Sequence, residues 1–291
     1  MNELPVSGGA PGDALTRDTE TAAPVIGSVR ALADPRLAAD LRLRSSQVEL
    51  DGFMLGRFAV AAASIIGLGH ALQGGSRQDA YNAALAASGD VYLVVADGLG
   101  SKSVSQLGAR LFCDATIELA LDRTPRTHRD VREVVYGAGR RMADIASAAY
   151  GVDPGEVGCV CVMAVVRSEQ AILARVGDSS AFILQDGHFD EAFAEGNGYV
   201  NVVDASLPTD DQDDVEIVER GLEGGSMALV SDGLAIDLRT SPVLRSWLAN
   251  CWAQPIGPFA MGESLRYRRQ GSHDDRTALA LWVQDVEEDL R

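Results

Sequence analysis

Two apolar runs of strand character end in the same way. Val91-Tyr-Leu-Val-Val-Ala96 leads into Asp97-Gly98, and Met227-Ala-Leu-Val-Ser231 leads into Asp232-Gly233. A third run, Ala171–Val176, closes on Gly177-Asp178-Ser179, and Asp274-Asp275 stands just before a fourth, Thr277–Val283. Short runs rich in Val and Ile, bounded by Gly or Asp, fit strands in stacked sheets. A carboxylate at the end of such a strand sits on a rigid platform, and several converging there make a hard-oxygen site suited to Mg²⁺ or Mn²⁺. The following glycine lets the backbone turn sharply, so that its carbonyl can also face an ion. Asp-Gly is equally a common turn dipeptide, and each pair taken alone describes a plain strand end. Spacing therefore leaves two readings open: an acidic metal site able to serve phosphotransfer, or a set of turns.

Further strand-like runs are Phe58–Ile66, Val157–Val166, Gln170–Val176 and Ala181–Leu184. Ser105–Leu121 and Arg126–Tyr150 carry apolar residues at three- and four-residue intervals, which predicts two helices lying side by side and antiparallel. A third helix is expected over Ser241–Trp252, opened by Ser-Pro. Strands precede and follow the helical pair without strict alternation, so the pattern favours an α+β sandwich over a doubly wound parallel sheet. Residues 1–50 show little periodicity and read as a flexible leader, with a short helix over 30–45, ahead of one domain spanning 51–291. Glu195–Asp214, rich in Gly and acidic residues, reads as a mobile loop.

Charge narrows the function classes. Asp and Glu number 42 against 25 Lys and Arg, a formal charge of −17. Such a surface repels phosphate backbones and anionic lipid, which argues against nucleic acid and membrane partners. The four cysteines form no C-x-x-C pair and have no His at zinc spacing, so neither a disulfide framework nor a zinc site is indicated. No secretory signal pattern and no bilayer-length apolar run is present, and a cytoplasmic protein is expected.

Gln78-Asp79-Ala80, Val95-Ala96-Asp97-Gly98-Leu99-Gly100, Val176-Gly177-Asp178-Ser179-Ser180, Val230-Ser231-Asp232-Gly233-Leu234 and Asp274-Asp275-Arg276-Thr277 resemble, in order, the motifs of the type 2C metal-dependent protein phosphatases. The resemblance spans residues 57–285, and Asp-Gly-x-Gly-Ser is similar to a divergent bacterial subgroup. It implies two stacked antiparallel β-sheets flanked by helices. It also implies a pair of Mn²⁺ or Mg²⁺ ions and hydrolysis of protein phosphoserine and phosphothreonine by a water bridging them. The implied partners are a phosphorylated protein substrate and a cognate kinase in the same pathway.

Carried over by position, Asp97 matches the metal-bridging aspartate and Gly98 a backbone carbonyl ligand. Asp232 and Asp274 match the remaining ligands, and Asp79 an acidic residue supporting the site. Asp153 falls near the place of a third, weaker metal; it equally opens an Asp-Pro-Gly turn. Asp178 matches a structural position. The chain departs from the pattern where Leu99-Gly100-Ser101-Lys102 replaces the glycines and histidine some members carry. Gly74 stands where a phosphate-gripping arginine is usual. His70 and Arg77 are the nearest replacements, for proton delivery and phosphate binding respectively. Two rival readings are a type 2C-like regulatory module without turnover and a phosphatase of small phosphorylated metabolites.

Overall fold

The computed structural model describes residues 25–26, 45–193, 205–209, 211–223 and 225–284. In chain order the strands and helices are Val25–Ile26 (β1), Val48–Leu55 (β2), Phe58–Ile65 (β3), Leu68–Gln73 (α1), Ala80–Leu85 (β4), Val91–Gly98 (β5), Ser105–Arg123 (α2) and His128–Tyr150 (α3). There follow Cys159–Arg167 (β6), Gln170–Val176 (β7), Ser180–Gln185 (β8), His188–Glu191 (β9), Glu216–Gly221 (β10) and Ser226–Val230 (β11). Asp232–Thr240 (α4), Pro242–Cys251 (α5), Pro258–Ser264 (α6), Arg268–Arg269 (β12) and Arg276–Val283 (β13) complete the chain.

Two antiparallel sheets result, ordered β10-β7-β6-β5-β4 and β2-β3-β13-β11-β8-β9. The period-two alternation of β5 shows how they stack. Val91, Leu93 and Val95 belong to the core between the sheets, whereas Tyr92, Val94 and Ala96 belong to the core shared with α2 and α3. A strand covered on both faces must be apolar throughout, which is why Val91–Ala96 shows no polar alternation. The outer face of the larger sheet, with Ala61, Ala63, Val230 and Ala278, packs on α4, α5 and α6. The order helix, sheet, sheet, helix agrees with the α+β sandwich expected from sequence.

Helix ends follow local chemistry. Thr127 caps α3 in a reciprocal capping box with Asp130, and Ser241 caps α5 ahead of Pro242, satisfying amide groups that have no partner inside the helix. Gly151 ends α3 in the left-handed conformation at φ 66°.

The boundary expected at residue 50 falls inside β2. Val48, Glu49 and Leu50 already pair with Ile65, Ser64 and Ala63 of β3. Farther upstream, Val25–Ile26 pairs in parallel with Arg268–Arg269. The helix expected over 30–45 lies outside the described residues except at its last position, as does most of the loop over Glu195–Asp214. The described part of that loop includes Leu207, which exchanges two backbone hydrogen bonds with Cys159, at 3.1 and 2.8 Å. No helix among the described residues is long and apolar enough to cross a membrane.

Candidate metal centre

The carboxylates singled out in the sequence converge. Asp97 is the penultimate residue of β5, opposite Val160, Asp232 opens α4 one residue after β11, Asp79 immediately precedes β4, and Asp274 and Asp275 lead into β13. Residues from both sheets thus meet at one end of the sandwich. The carboxyl groups of Asp97 and Asp232 are in hydrogen-bonding contact, and the charges of Asp79, Asp232 and Asp274 all act on Asp97.

Burial is the leading cause of their altered acidity, because a desolvated charge is disfavoured, and mutual repulsion adds to it. Asp97 is raised well above the ordinary carboxyl range by burial, then by Asp79 and Asp232. Asp79 is pushed up to about 7 by burial and by Asp275, against hydrogen bonds from Thr277 and Ser231. Burial also pushes Asp232 up to about 6; its contact with Asp97 lowers it, while Asp274 and Asp178 raise it. Asp97 and Asp232 therefore titrate as a pair, with burial and neighbouring charge disfavouring simultaneous ionisation of both.

Such an arrangement is poorly matched to an empty polar pocket and well matched to cations. Asp79 Oδ1 and Asp232 Oδ1 are buried acceptors with no hydrogen-bond partner. Leaving buried acceptors unmet costs about 1–3 kcal/mol each, more when they are charged. Divalent ions bound to these hard oxygens would satisfy both and cancel the repulsion. The residues present therefore fit Mn²⁺ or Mg²⁺, with Asp79, Asp97, Asp232 and Asp274 as the side chains able to hold them.

A polar framework fixes the cluster from below. Thr277 Oγ1 donates to Asp79 Oδ2 at 2.7 Å and is hydrogen-bonded to Ser64, while the Thr277 amide donates to Ser231 Oγ at 3.0 Å. Asp275 is held by three contacts: its Oδ1 accepts from the Gly67 amide at 2.6 Å and lies 3.0 Å from His70 Nδ1, and its Oδ2 accepts from the Gln78 amide at 2.6 Å. It thereby orients Gly67, Gln78 and His70. His70, Asp274 and Asp275 nevertheless bring donor atoms within 4.8 Å of one another. His70 is raised above its ordinary value, chiefly by the Asp275 hydrogen bond, with burial opposing.

Two glycines make room for this framework. A Cβ on Gly98 would lie 2.8 Å from backbone atoms of Ser105, so the close approach of β5 to the start of α2 at this point requires glycine. A Cβ on Gly233 would lie 2.2 Å from the Asp275 carbonyl oxygen and 3.1 Å from Asp274 Cβ.

Two of the expected site residues have other partners in the structure. Arg77 does not face the cluster as a free cation. It is buried, with Nε donating to the Ser46 carbonyl at 2.9 Å, Nη1 to the Asp79 carbonyl at 2.9 Å, and Nη2 paired with Glu49. A guanidinium so occupied ties β2 to the start of β4 and is not available to phosphate. Arg77→Ala is therefore expected to lower the melting temperature, leaving acceptors unmet at about 1–3 kcal/mol, without changing KM for a small phosphate ester. A raised KM at unchanged stability would restore the phosphate-binding role. Asp153 is exposed, accepts from the Gly155 amide at 2.9 Å in the turn Pro154–Glu156, and is not among the groups weighing most on the cluster. The turn accounts for it.

Asp178, read from sequence as structural, lies within the field of the site. Burial raises it, Arg239 and Arg175 pull it down, and Asp274 pushes it up. Ser231, Thr277 and Ser64 had no assigned part in the site. Thr277 and Ser231 flank recognised aspartates, which was a positional signal; Ser64, inside the apolar run of β3, carried none.

A sandwich of two antiparallel sheets between helical layers, with an aspartate cluster at one end, defines the class of metal-dependent phosphatases. Residues 66–266 match the protein phosphatase 2C family, and the chain belongs to it. The family comprises metal-dependent protein-serine/threonine phosphatases that use Mn²⁺ or Mg²⁺. No curated protein sequence matches the chain significantly.

Similar solved structures include PppA of Pseudomonas aeruginosa, described as a key regulatory component of its T6SS. It is 23% identical, aligned over 78% of this chain and 98% of its own, with a TM-score of 0.57. The Mycobacterium tuberculosis serine/threonine phosphatase PstP is 18% identical over 78% of this chain and 99% of its own, at a TM-score of 0.58. A PstP catalytic domain in complex with two manganese ions is 17% identical, with the same two coverages and a TM-score of 0.58. At these identities the structures establish a shared fold.

Proposed function

We propose that this chain is an active phosphoserine/phosphothreonine protein phosphatase working with two divalent cations. The observation that carries the reading is the convergence of Asp79, Asp97, Asp232 and Asp274, from separate segments, with two buried oxygens left unpartnered. Asp97 is the central ligand, Asp232 and Asp274 complete the set, and the Gly98 carbonyl lies at the same strand end. Mn²⁺ or Mg²⁺ held there supplies Lewis acidity, lowering the pKa of water and neutralising phosphoryl charge. Asp275 fixes the His70 ring through Nδ1 at 3.0 Å, which leaves Nε2 to deliver a proton to the departing serine or threonine oxygen.

This assignment separates substrates by leaving group. His70→Asn is expected to lower kcat on a phosphoserine peptide by about 10²-fold or more. p-Nitrophenyl phosphate, whose leaving group departs without a proton, should be nearly unaffected. Equal losses on both substrates would remove the proton-donor role.

A second reading, a regulatory module without turnover, draws on one observation: Arg77 is occupied elsewhere, and Gly74 supplies no side chain to grip phosphate. Activity with added Mn²⁺ decides between them. Phosphopeptides, nucleotides and sugar phosphates are compared at equal concentration, and phosphopeptides are expected to be preferred. Metal binding with no hydrolysis would favour the module, and preference for sugar phosphates would favour a metabolite phosphatase. A kinase in the same pathway and a cytoplasmic location belong to the proposed reading. The regulatory role stated for PppA and the free state of Cys113, Cys159, Cys161 and Cys251 are compatible with them.

A further inference from the structure

A groove of about 570 Å³ adjoins the carboxylate cluster. Ile65, Ile66, Leu68 and Leu265 give it an apolar lining, and His273 and Asp274 form its border with the cluster. Arg266 and Arg268 lie along the other part of its wall.

The wall is built to stay in place. Buried Asp237 accepts from Tyr267 Oη at 2.5 Å and from Ser272 Oγ at 2.6 Å, and it pairs with Arg269. The Arg276 guanidinium stacks over the Tyr267 ring at 3.9 Å, and its Nη1 donates to the Leu265 and Tyr267 carbonyls at 3.1 and 2.8 Å. Two of the arginines are thus absorbed in structure. Arg268 is not: it is exposed and meets no carboxylate among the described residues. Arg266 has only an exposed pair with Glu263, of the kind that contributes little. In a chain of formal charge −17, one cation with no carboxylate partner among the described residues and one only weakly paired create a local preference for negative partners.

We infer that this groove receives the stretch of substrate polypeptide flanking the phosphorylated residue, taking an apolar side chain on its lining and a carboxylate at Arg268. The inference rests on the phosphatase reading for its occupant. The β12 backbone is already paired with Val25–Ile26, so recognition here falls to side chains.

The test uses the full chain and two measurements. Fluorescein-labelled phosphoserine peptides carrying Leu and Glu beside the phosphoserine are compared with Gly and Lys counterparts. Binding is read by anisotropy in EDTA and turnover by kcat/KM with Mn²⁺. Wild type should bind and hydrolyse the Leu/Glu peptide about tenfold better, and Arg268→Glu should reverse the Glu over Lys preference while leaving p-nitrophenyl phosphate hydrolysis unchanged. Hydrolysis of every peptide with no flanking preference, or one unmoved by Arg268→Glu, overturns the groove and leaves the phosphatase reading standing. Arg268-dependent binding without hydrolysis of any phosphate ester upholds the groove and overturns that reading. Failure of both measurements removes both.

Discussion

Asp97→Asn is expected to reduce hydrolysis of phosphopeptides and p-nitrophenyl phosphate alike by about 10³-fold or more, because the proposed central ligand loses its charge. Asp97 lies in contact with Asp232 and under the charges of Asp79 and Asp274, at the centre of the cluster. The same substitution should change how metal affects stability. A ligand that binds only the folded state at 100 times its Kd stabilises by about 2.7 kcal/mol. For a domain of this size that corresponds to roughly 5–10 °C in melting temperature. Wild type should show a rise of that order with Mn²⁺, and Asp97→Asn should show little. Without metal the variant should be at least as stable as wild type, since one repelled, desolvated carboxyl has been removed. A metal-free Asp97→Asn protein much less stable than wild type would mean that Asp97 serves the fold.

Gly233→Ala is expected to be nearly as damaging, by a route that touches no ligand atom. The added methyl would lie 2.2 Å from the Asp275 carbonyl oxygen, a backbone atom with no freedom to swing aside. Arg276 and Thr277, which follow Asp275, are held by pairing with β3, and the Asp275 side chain holds Gly67, Gln78 and His70. The start of α4 must therefore move, carrying Asp232 away from Asp97 and Asp274. Such overpacking costs about 1–3 kcal/mol. A displacement near 1 Å lowers turnover by about 10²-fold. Melting temperature and kcat should fall together, and a Gly233→Ala enzyme of normal kcat would show that the α4–β13 approach does not set the site.

What the sequence made legible follows from burial. Strands such as β5, β6 and β11, covered on both faces, are continuous apolar runs and stand out without knowledge of their neighbours. β2, at the edge of the larger sheet and exposed along most of its length, carries Glu49, Asp51 and Gly52, so its sequence resembles a loop. α4 is not legible in the sequence because Asp232-Gly233 after a strand reads as a turn, whereas in the fold that pair opens a helix of nine residues. Asp97 and Asp232 are legible because each closes an apolar run and Asp274 because it stands just before one, whereas Asp79 follows a polar, glycine-rich stretch and is reached only through the family resemblance. The direction of Arg77 is not legible, because sequence distance to Asp79 says nothing of it: its guanidinium meets Ser46 and Glu49, some thirty residues upstream. The contacts of Asp275 with Gly67, Gln78 and His70 likewise exist only once the chain has folded.

Calorimetric titration of the metal-free full chain with Mn²⁺ addresses the central claim most directly. Two ions per chain in wild type, and loss of that binding in Asp97→Asn, is the predicted result. A wild-type chain that takes up no Mn²⁺, or an Asp97→Asn chain that binds both ions as tightly as wild type, would contradict it.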